Sequence, residues 1–231
     1  MDERYYQVID PRSFAERLAI AAREQIYADF KTFCRPRIGE TILDVGVSDV
    51  INDVANPLER KYPFPTVITA AGLGDGTDFK AAYPKVNYRQ IEANQPLPFA
   101  DKQFDIVTAN AVLQVVGSVS NQAAFIAELI RVGRKIFVTV PHRYFPVEHH
   151  TAIPLAHYSD RAFSFVCQTL GKTEWTGDSN LILMSKDRLR AALPLTALGV
   201  VGYTGIGLGP CSSNLFLYID GRAPLSGGGH D

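Results

Sequence analysis

The chain lacks the features that mark several protein classes. It has no apolar run of about 18 residues, the length a membrane-crossing helix needs. Cysteine is scarce: Cys34, Cys167 and Cys211 are odd in number and far apart. That pattern fits neither a disulfide framework nor a metal site, and it suits a reducing cytoplasm. Neither sign of charge dominates, because 23 basic against 24 acidic residues leave a net charge of −1. Nothing therefore points to nucleic acid or to an anionic membrane surface as a partner. A GxGxxG loop is missing, which argues against a pyrophosphate cradle. The start, Met1-Asp2-Glu3-Arg4-Tyr5-Tyr6, shows no apolar stretch behind a basic one, so no signal peptide is expected. No internal repeat and no linker divides the 231 residues, so a single domain is expected over 1–231.

What is present is an ordinary globular composition, 46% hydrophobic and 20% charged, with strands and helices in alternation. Residues 12–33 place Phe14, Leu18, Ala21, Ala22, Ile26, Phe30 and Phe33 at helical spacing, with Ser13 and Glu16 resembling a capping box and Pro36 ending the helix. Strands are expected at 41–45, 66–71, 86–91, 104–109 and 135–140. A helix or irregular turn is expected at 50–61, a loop at 72–78, a turn at 94–99 and a helix at 121–132. Such alternation predicts an α/β fold with a parallel, doubly wound sheet. After Pro141 the period is lost, and residues 141–158 hold three prolines and four histidines. Long ordered loops at a sheet's carboxyl edge often carry function. Helices at 160–170 and 186–193, and a closing strand pair at 200–203 and 215–219, complete the reading. The glycine-rich tail is expected to be mobile.

The most informative stretch is Thr41-Ile42-Leu43-Asp44-Val45-Gly46-Val47-Ser48, a buried strand that ends in an acid and a glycine. In an open α/β sheet this is where a ligand crevice forms, and glycine lets backbone approach a ligand closely. Further motifs follow in order: Leu97-Pro98-Phe99-Ala100-Asp101-Lys102-Gln103-Phe104-Asp105-Ile106-Val107, then Phe125-Ile126-Ala127-Glu128-Leu129-Ile130-Arg131-Val132, then Pro141-His142-Arg143-Tyr144-Phe145-Pro146-Val147-Glu148-His149-His150-Thr151, and finally Ser213-Asn214-Leu215. Their order and spacing resemble the class I S-adenosylmethionine-dependent methyltransferases, as a divergent, type 11-like member, over roughly three quarters of the chain. The resemblance implies a Rossmann-like, doubly wound, seven-stranded sheet, mostly parallel and in three layers. It also implies an N-terminal helical lid (1–38), a catalytic core (39–222) and a tail (223–231).

The resemblance further implies S-adenosylmethionine as cofactor, held at Asp44, Gly46, Val47, Ser48, Ala71, Gly72, Leu73, Glu92, Ala93, Asn94, Asn110 and Ala111. The cofactor carries an amino-acid zwitterion and no phosphate. A carboxylate for the ammonium and a close backbone approach are its main needs, and Asp44 and Gly46 fit these two. Two acids common in the family are missing. Ala71 or Gly72 stands where one usually holds the ribose hydroxyls, with Asp75 nearby. Ala93 stands where another usually holds the adenine amino group. Gln114-Val115 replaces a common Glu-His pair. Losing the ribose acid removes a charge-assisted hydrogen bond of about 1.5–3 kcal/mol, enough to weaken binding without abolishing it.

Methyl transfer is an in-line displacement that needs a held nucleophile and sometimes a base. His149 and His150, with His142 and His157, are candidate bases, since imidazole titrates near neutral pH; the bland reading has them bonding the loop to itself. Tyr6, beside Tyr5, is a candidate aromatic face for the sulfonium, or packs the first helix. Asn110 orients substrate or cofactor, or caps its own turn. Trp175 lines a pocket or fills core. Glu148, His149 and His150 are metal-ligand types, but adjacent histidines diverge on an extended strand, and no metal is expected. The leading reading is a cytoplasmic enzyme that methylates oxygen or nitrogen of a small molecule, with no nucleic acid or membrane partner and the oligomeric state left open. One alternative keeps the cofactor but displaces another carbon of the sulfonium, by cyclisation or aminocarboxypropyl transfer, releasing methylthioadenosine. Another is a non-catalytic cofactor-binding relative.

Overall fold

The structure, a computed structural model, describes residues 14–148, 151, 153–177, 180–208 and 211–221. Seven strands form one sheet: β1 (Ile42–Val45), β2 (Ile68–Gly72), β3 (Asn87–Gln90), β4 (Phe104–Asn110), β5 (Gly133–Pro141), β6 (Gly199–Leu208) and β7 (Cys211–Asp220). Their order is β3-β2-β1-β4-β5-β7-β6. β1 to β5 pair in parallel, and β7 runs antiparallel to both β5 and β6. Six strands thus share a direction and one opposes them, the doubly wound α/β arrangement expected from the sequence. β1, β4 and β5 are buried on both faces, which is why they read as continuous apolar runs rather than as alternation.

Two helical layers cover the sheet. On one face α1 (Phe14–Cys34), α2 (Pro57–Lys61) and α3 (Thr77–Ala82) bury Ile26, Phe30, Leu58 and Phe79 against Ile42, Ile68, Ile106 and Phe137. On the other, α4 (Val119–Val132) and α6 (Lys186–Ala191) bury Ile126, Leu129, Val132 and Leu189 against Leu43, Val45, Val107 and Val138. A smaller third core lies in the segment between β5 and β6. There α5 (Asp160–Thr169) packs Phe163 and Cys167 onto Trp175, Leu181 and Leu183. Trp175 is therefore a core residue.

The first helix, expected as a lid, lies along the sheet, where Phe30 and Phe33 pack on Phe137 and Phe33 also meets Phe216 and Tyr218. Its proposed capping box falls on Ser13 and the Glu16 side chain, outside the described residues. Three local readings are corrected. α3 occupies Thr77 and Asp78, where the sequence pattern predicts a loop; it is short and follows Gly76 in the left-handed region (φ +69°), so no side-chain cap announces it. α4 begins at Val119 because Ser118 caps it, accepting from the Asn121 N–H. β6 and β7 are each ten residues long. Glycine had hidden most of β6, yet Gly202 is required there, since a Cβ would come within 2.3 Å of the Phe216 ring.

Phe30 is 3% exposed and anchors α1. Replacing Phe30 with Ala is expected to cost about 3–5 kcal/mol of stability, measured by denaturant unfolding; a loss under about 1 kcal/mol would show that α1 is not an integral layer.

Candidate active site

A cavity of about 940 Å³ opens at the carboxyl edge of the sheet, where the chain order reverses between β1 and β4. Three segments wall it: the turn Val45-Gly46-Val47 after β1, the loop 91–97 after β3, and the run from Ala111 into α4, through Ser118, Asn121 and Phe125. Leu73 and Asn180 complete it. Gly46 sits at φ +92°, and a Cβ there would meet Val112 Cγ2 at 2.2 Å. The position therefore demands glycine twice over, by dihedral and by space. Its N–H donates to the Ala71 carbonyl at 2.7 Å, and the Val47 N–H donates to the same oxygen at 3.2 Å. Two non-glycine residues on the rim, Asn94 and Ala111, also sit at φ +57°. For Ala111 this costs on the order of 1 kcal/mol, and its N–H donates to the Thr139 carbonyl at 2.9 Å.

The loop wall is clamped from α4. Arg131 donates to the Leu97 and Phe99 carbonyls at 2.9 and 2.8 Å, and Glu128 accepts from the Leu97 N–H at 2.9 Å. The two side chains also bond each other. The hydrogen bonds from Arg131 hold the Glu128 carboxyl below its ordinary range, and those to Glu128 and Asp101 raise the guanidinium further above its own.

On the opposite sheet face lies a cluster of buried charge. Asp44 on β1 and Glu59 on α2 are 6% and 4% exposed and adjoin one another. Burial first, then each other's charge, raises Asp44 well above the ordinary carboxylate range, while burial takes Glu59 to about 7. Arg23 of α1 opposes this; burial lowers it to about 10 and the Asp44 charge partly restores it. Arg23 Nη1 donates to Asn110 Oδ1 at 2.6 Å, which also accepts from Thr139 Oγ1 at 2.5 Å.

Of the residues expected to hold cofactor, Gly46, Val47, Leu73, Glu92, Ala93, Asn94 and Ala111 line the cavity. Asp44, Ser48, Ala71, Gly72 and Asn110 do not. Asp44 turns to Glu59. Ser48 is spent on its own loop, its Oγ accepting from the Val50 N–H and its backbone bonding Asn56. Ala71 and Gly72 are buried strand, and the Asn110 side chain is committed to Arg23 and Thr139. Asp75, considered as a ribose acid, instead accepts from the Thr77 N–H at the start of α3.

Tyr5, Tyr6, His149 and His150 lie outside the described residues. His142 Nδ1 donates to the Ser212 carbonyl at 3.0 Å and His157 Nε2 to the Phe145 carbonyl at 2.6 Å. Burial lowers the His142 pKa, and neither ring lines the cavity. Glu148 accepts from Thr151, and no group of three or more metal-ligating side chains occurs among the described residues. Sequence reasoning missed the Val115–Asn121 wall, Arg131, Arg23 and Glu59. Arg23 had a signal, since it stands three and seven residues before Ile26 and Phe30 on the apolar stripe of α1.

Residues 68–136, from β2 to the start of β5, match the methyltransferase domain family. No curated protein matches the chain. Solved structures share the fold. A protein from Pyrococcus horikoshii OT3 is 12% identical with a TM-score of 0.59, over 95% of this chain and 99% of that one. The magnesium protoporphyrin IX methyltransferase of Synechocystis PCC 6803, with bound SAH, is 10% identical with a TM-score of 0.57, over 91% and 88%. A SAM dependent methyltransferase from Aquifex aeolicus is 15% identical with a TM-score of 0.50, over 91% and 93%. The class defined here is thus the fold of the class I S-adenosylmethionine-dependent methyltransferases, as the sequence motifs implied.

The acid pair gives a pH-dependent stability. The folded state holds a proton near Asp44 and Glu59 that the unfolded chain releases around pH 4. The pair's contribution is intact below that pH and is lost as pH rises through the folded values, near 7 for Glu59. Glu59→Gln is expected to gain on the parent protein between about pH 5 and pH 8, by about 2–3 kcal/mol at the upper end. Denaturant titrations across that range measure it, and parallel curves for the two proteins would refute the assignment.

Proposed function

We propose that the chain is an S-adenosylmethionine-dependent methyltransferase whose cofactor binds at this cavity and whose acceptor is a small molecule, methylated on oxygen or nitrogen. The observation that carries this reading is the cavity's position, at the carboxyl edge between β1 and β4, fronted by a glycine turn that leaves no room for a side chain. Its volume lies near the upper end of small-molecule sites, about 300–1,000 Å³, which suits a cofactor and acceptor together. Apolar walls from Val112, Val116 and Phe125 suit a purine face, and Asn94 and Asn121 offer polar edges. Glu92 lines the cavity and follows Ile91, whose N–H bonds the Gly72 carbonyl. We assign it the ribose hydroxyls in place of the missing acid at the end of β2.

The bound cofactor supplies a methyl on a sulfonium, a leaving group that departs neutral. The protein's part is to align the acceptor in line with that bond and exclude water. The Pyrococcus and Synechocystis relatives support the fold, and the latter's substrate by name is a small molecule. The balanced charge argues for a small acceptor over a polymer, and three cysteines without a disulfide suit the cytoplasm.

Calorimetry with S-adenosylhomocysteine tests the reading. Binding is expected, and Gly46→Val is expected to weaken it by about tenfold or more, because the new side chain collides with Val112. No heat at millimolar ligand would overturn it. Incubation of S-adenosylmethionine with candidate acceptors should yield S-adenosylhomocysteine; methylthioadenosine as the product would establish attack at another carbon of the sulfonium.

A further inference from the structure

A second cavity, of about 10 Å³, lies between the turn Leu113–Val115 and the segment that follows β5. Three side chains that line it carry buried polar atoms with no hydrogen-bond partner among the described residues: Gln114 Oε1, Arg143 Nε and His157 Nδ1. Gln114 and His157 are each 1% exposed and Arg143 is 9% exposed. Burying one polar atom without a partner is costly, and three that line one cavity point to a ligand. His142 and Glu148 also line it, but they bond the Ser212 carbonyl and Thr151. The rest of the lining is largely apolar, from Leu181 to Met184.

The bonds these side chains already make fix what each has left to offer. Gln114 Nε2 donates to the Ala111 carbonyl at 2.7 Å, which sets the amide's orientation and leaves Oε1 as an acceptor. His157 Nε2 lies 2.6 Å from the Phe145 carbonyl, which can only accept. The ring hydrogen therefore sits on Nε2, and Nδ1 of the neutral ring is an acceptor. Arg143 commits Nη2 to the His157 and Tyr158 carbonyls and to Asp160, and its Nε–H remains a donor. The set is two acceptors and one donor. An anion would face two acceptors, a cation would face a guanidinium, and the volume admits neither an organic group nor a second molecule. Water has the matching complement of two hydrogens and a lone pair.

We propose that Gln114, Arg143 and His157 form a binding site for one water molecule, which donates to Gln114 Oε1 and His157 Nδ1 and accepts from Arg143 Nε–H. Three hydrogen bonds are the usual number for a buried water. The water joins the wall of the large cavity to the histidine-rich segment. Val115 and Val116 line that cavity beside Gln114, and the Ile182 N–H donates to the Gln114 carbonyl at 2.8 Å. The site also gives a reason for glutamine at position 114, since an ionised glutamate could accept from water but could not donate to Ala111. The inference does not depend on which ligand the large cavity takes.

Neutron diffraction from a crystal of the parent protein exchanged into heavy water tests this directly. One water is expected among the three side chains, with its deuterons toward Gln114 Oε1 and His157 Nδ1 and with the His157 ring deuterium on Nε2. In solution, oxygen-17 relaxation dispersion counts long-lived buried waters. Gln114→Met, which keeps the length of the side chain and removes the amide oxygen, is expected to lower that count by one. No water between the three groups, a chloride ion in its place, or a deuterium on His157 Nδ1 would overturn the inference, as would an unchanged water count in the folded variant. The diffraction result on the parent protein decides the matter even if the variant does not fold.

Discussion

A carboxyl on the central strand of a parallel sheet has few ways to exist away from water. It can lose its charge by taking a proton, or keep the charge and meet a cation. Asp44 has both kinds of neighbour. Glu59 shares its surroundings from α2, and Arg23 reaches in from α1. The cost of this arrangement is spread over the molecule. α1 must lie along the sheet for Arg23 to arrive, and its aromatic contacts with β5 and β7 keep it there. Asn110 and Thr139 must present one oxygen between them at the ends of β4 and β5. Helix α2 must start after Asn56, itself in the left-handed region and bonded to Ser48, so that Glu59 faces inward. The buried acid thus ties two helices on one face, α1 and α2, to the carboxyl ends of the central strands.

The opposite side of the same edge is organised by backbone rather than charge. Gly46, Asn94 and Ala111 each hold a left-handed dihedral on the rim of the cavity. Such conformations persist only where neighbours over-determine them. Here the neighbours are identifiable: the Ala71 carbonyl for the first turn, the Thr139 carbonyl for Ala111, and the clamp of Arg131 and Glu128 for the loop that carries Asn94. The clamp also shows why acids near a proposed ligand are not interchangeable. Glu128 lines the cavity but is committed to Arg131 and to the Leu97 N–H, whereas Glu92 projects from an exposed loop.

Much of the fold was legible because buried parallel strands write themselves as apolar runs. β1, β2, β4 and β5 could be read almost to the residue, as could the apolar face of α4. What escaped has physical reasons. β6 is an edge strand rich in glycine, with Gly202 making room for Phe216, so its composition imitates a loop. α3 is little more than one turn behind a glycine. For the site, the glycine turn and the loop after β3 were readable from motif order, because backbone geometry is a local property. The partners of Asp44 were not, since no local spacing links Arg23, Asp44 and Glu59. Their juxtaposition exists only once α1 and α2 are laid on the same face. The acid of the motif was correctly singled out, but its surroundings, which decide its protonation, are a tertiary property.

The histidine-rich segment after β5 makes the complementary point. A side chain that suits catalysis at neutral pH suits structure equally well when both its ring and a carbonyl are buried. His142 and His157 each donate one ring N–H to a backbone carbonyl, and those bonds fix the tautomer and seat the segment on β7 and on its own turn. Burial then favours the neutral His142 ring. The segment is held further by Arg143, which donates to the His157 and Tyr158 carbonyls and to Asp160, and by the small core around Trp175. These contacts pack the described residues between β5 and β6 onto β7 and onto one another. The imidazoles among the described residues are thus accounted for by the packing of this segment.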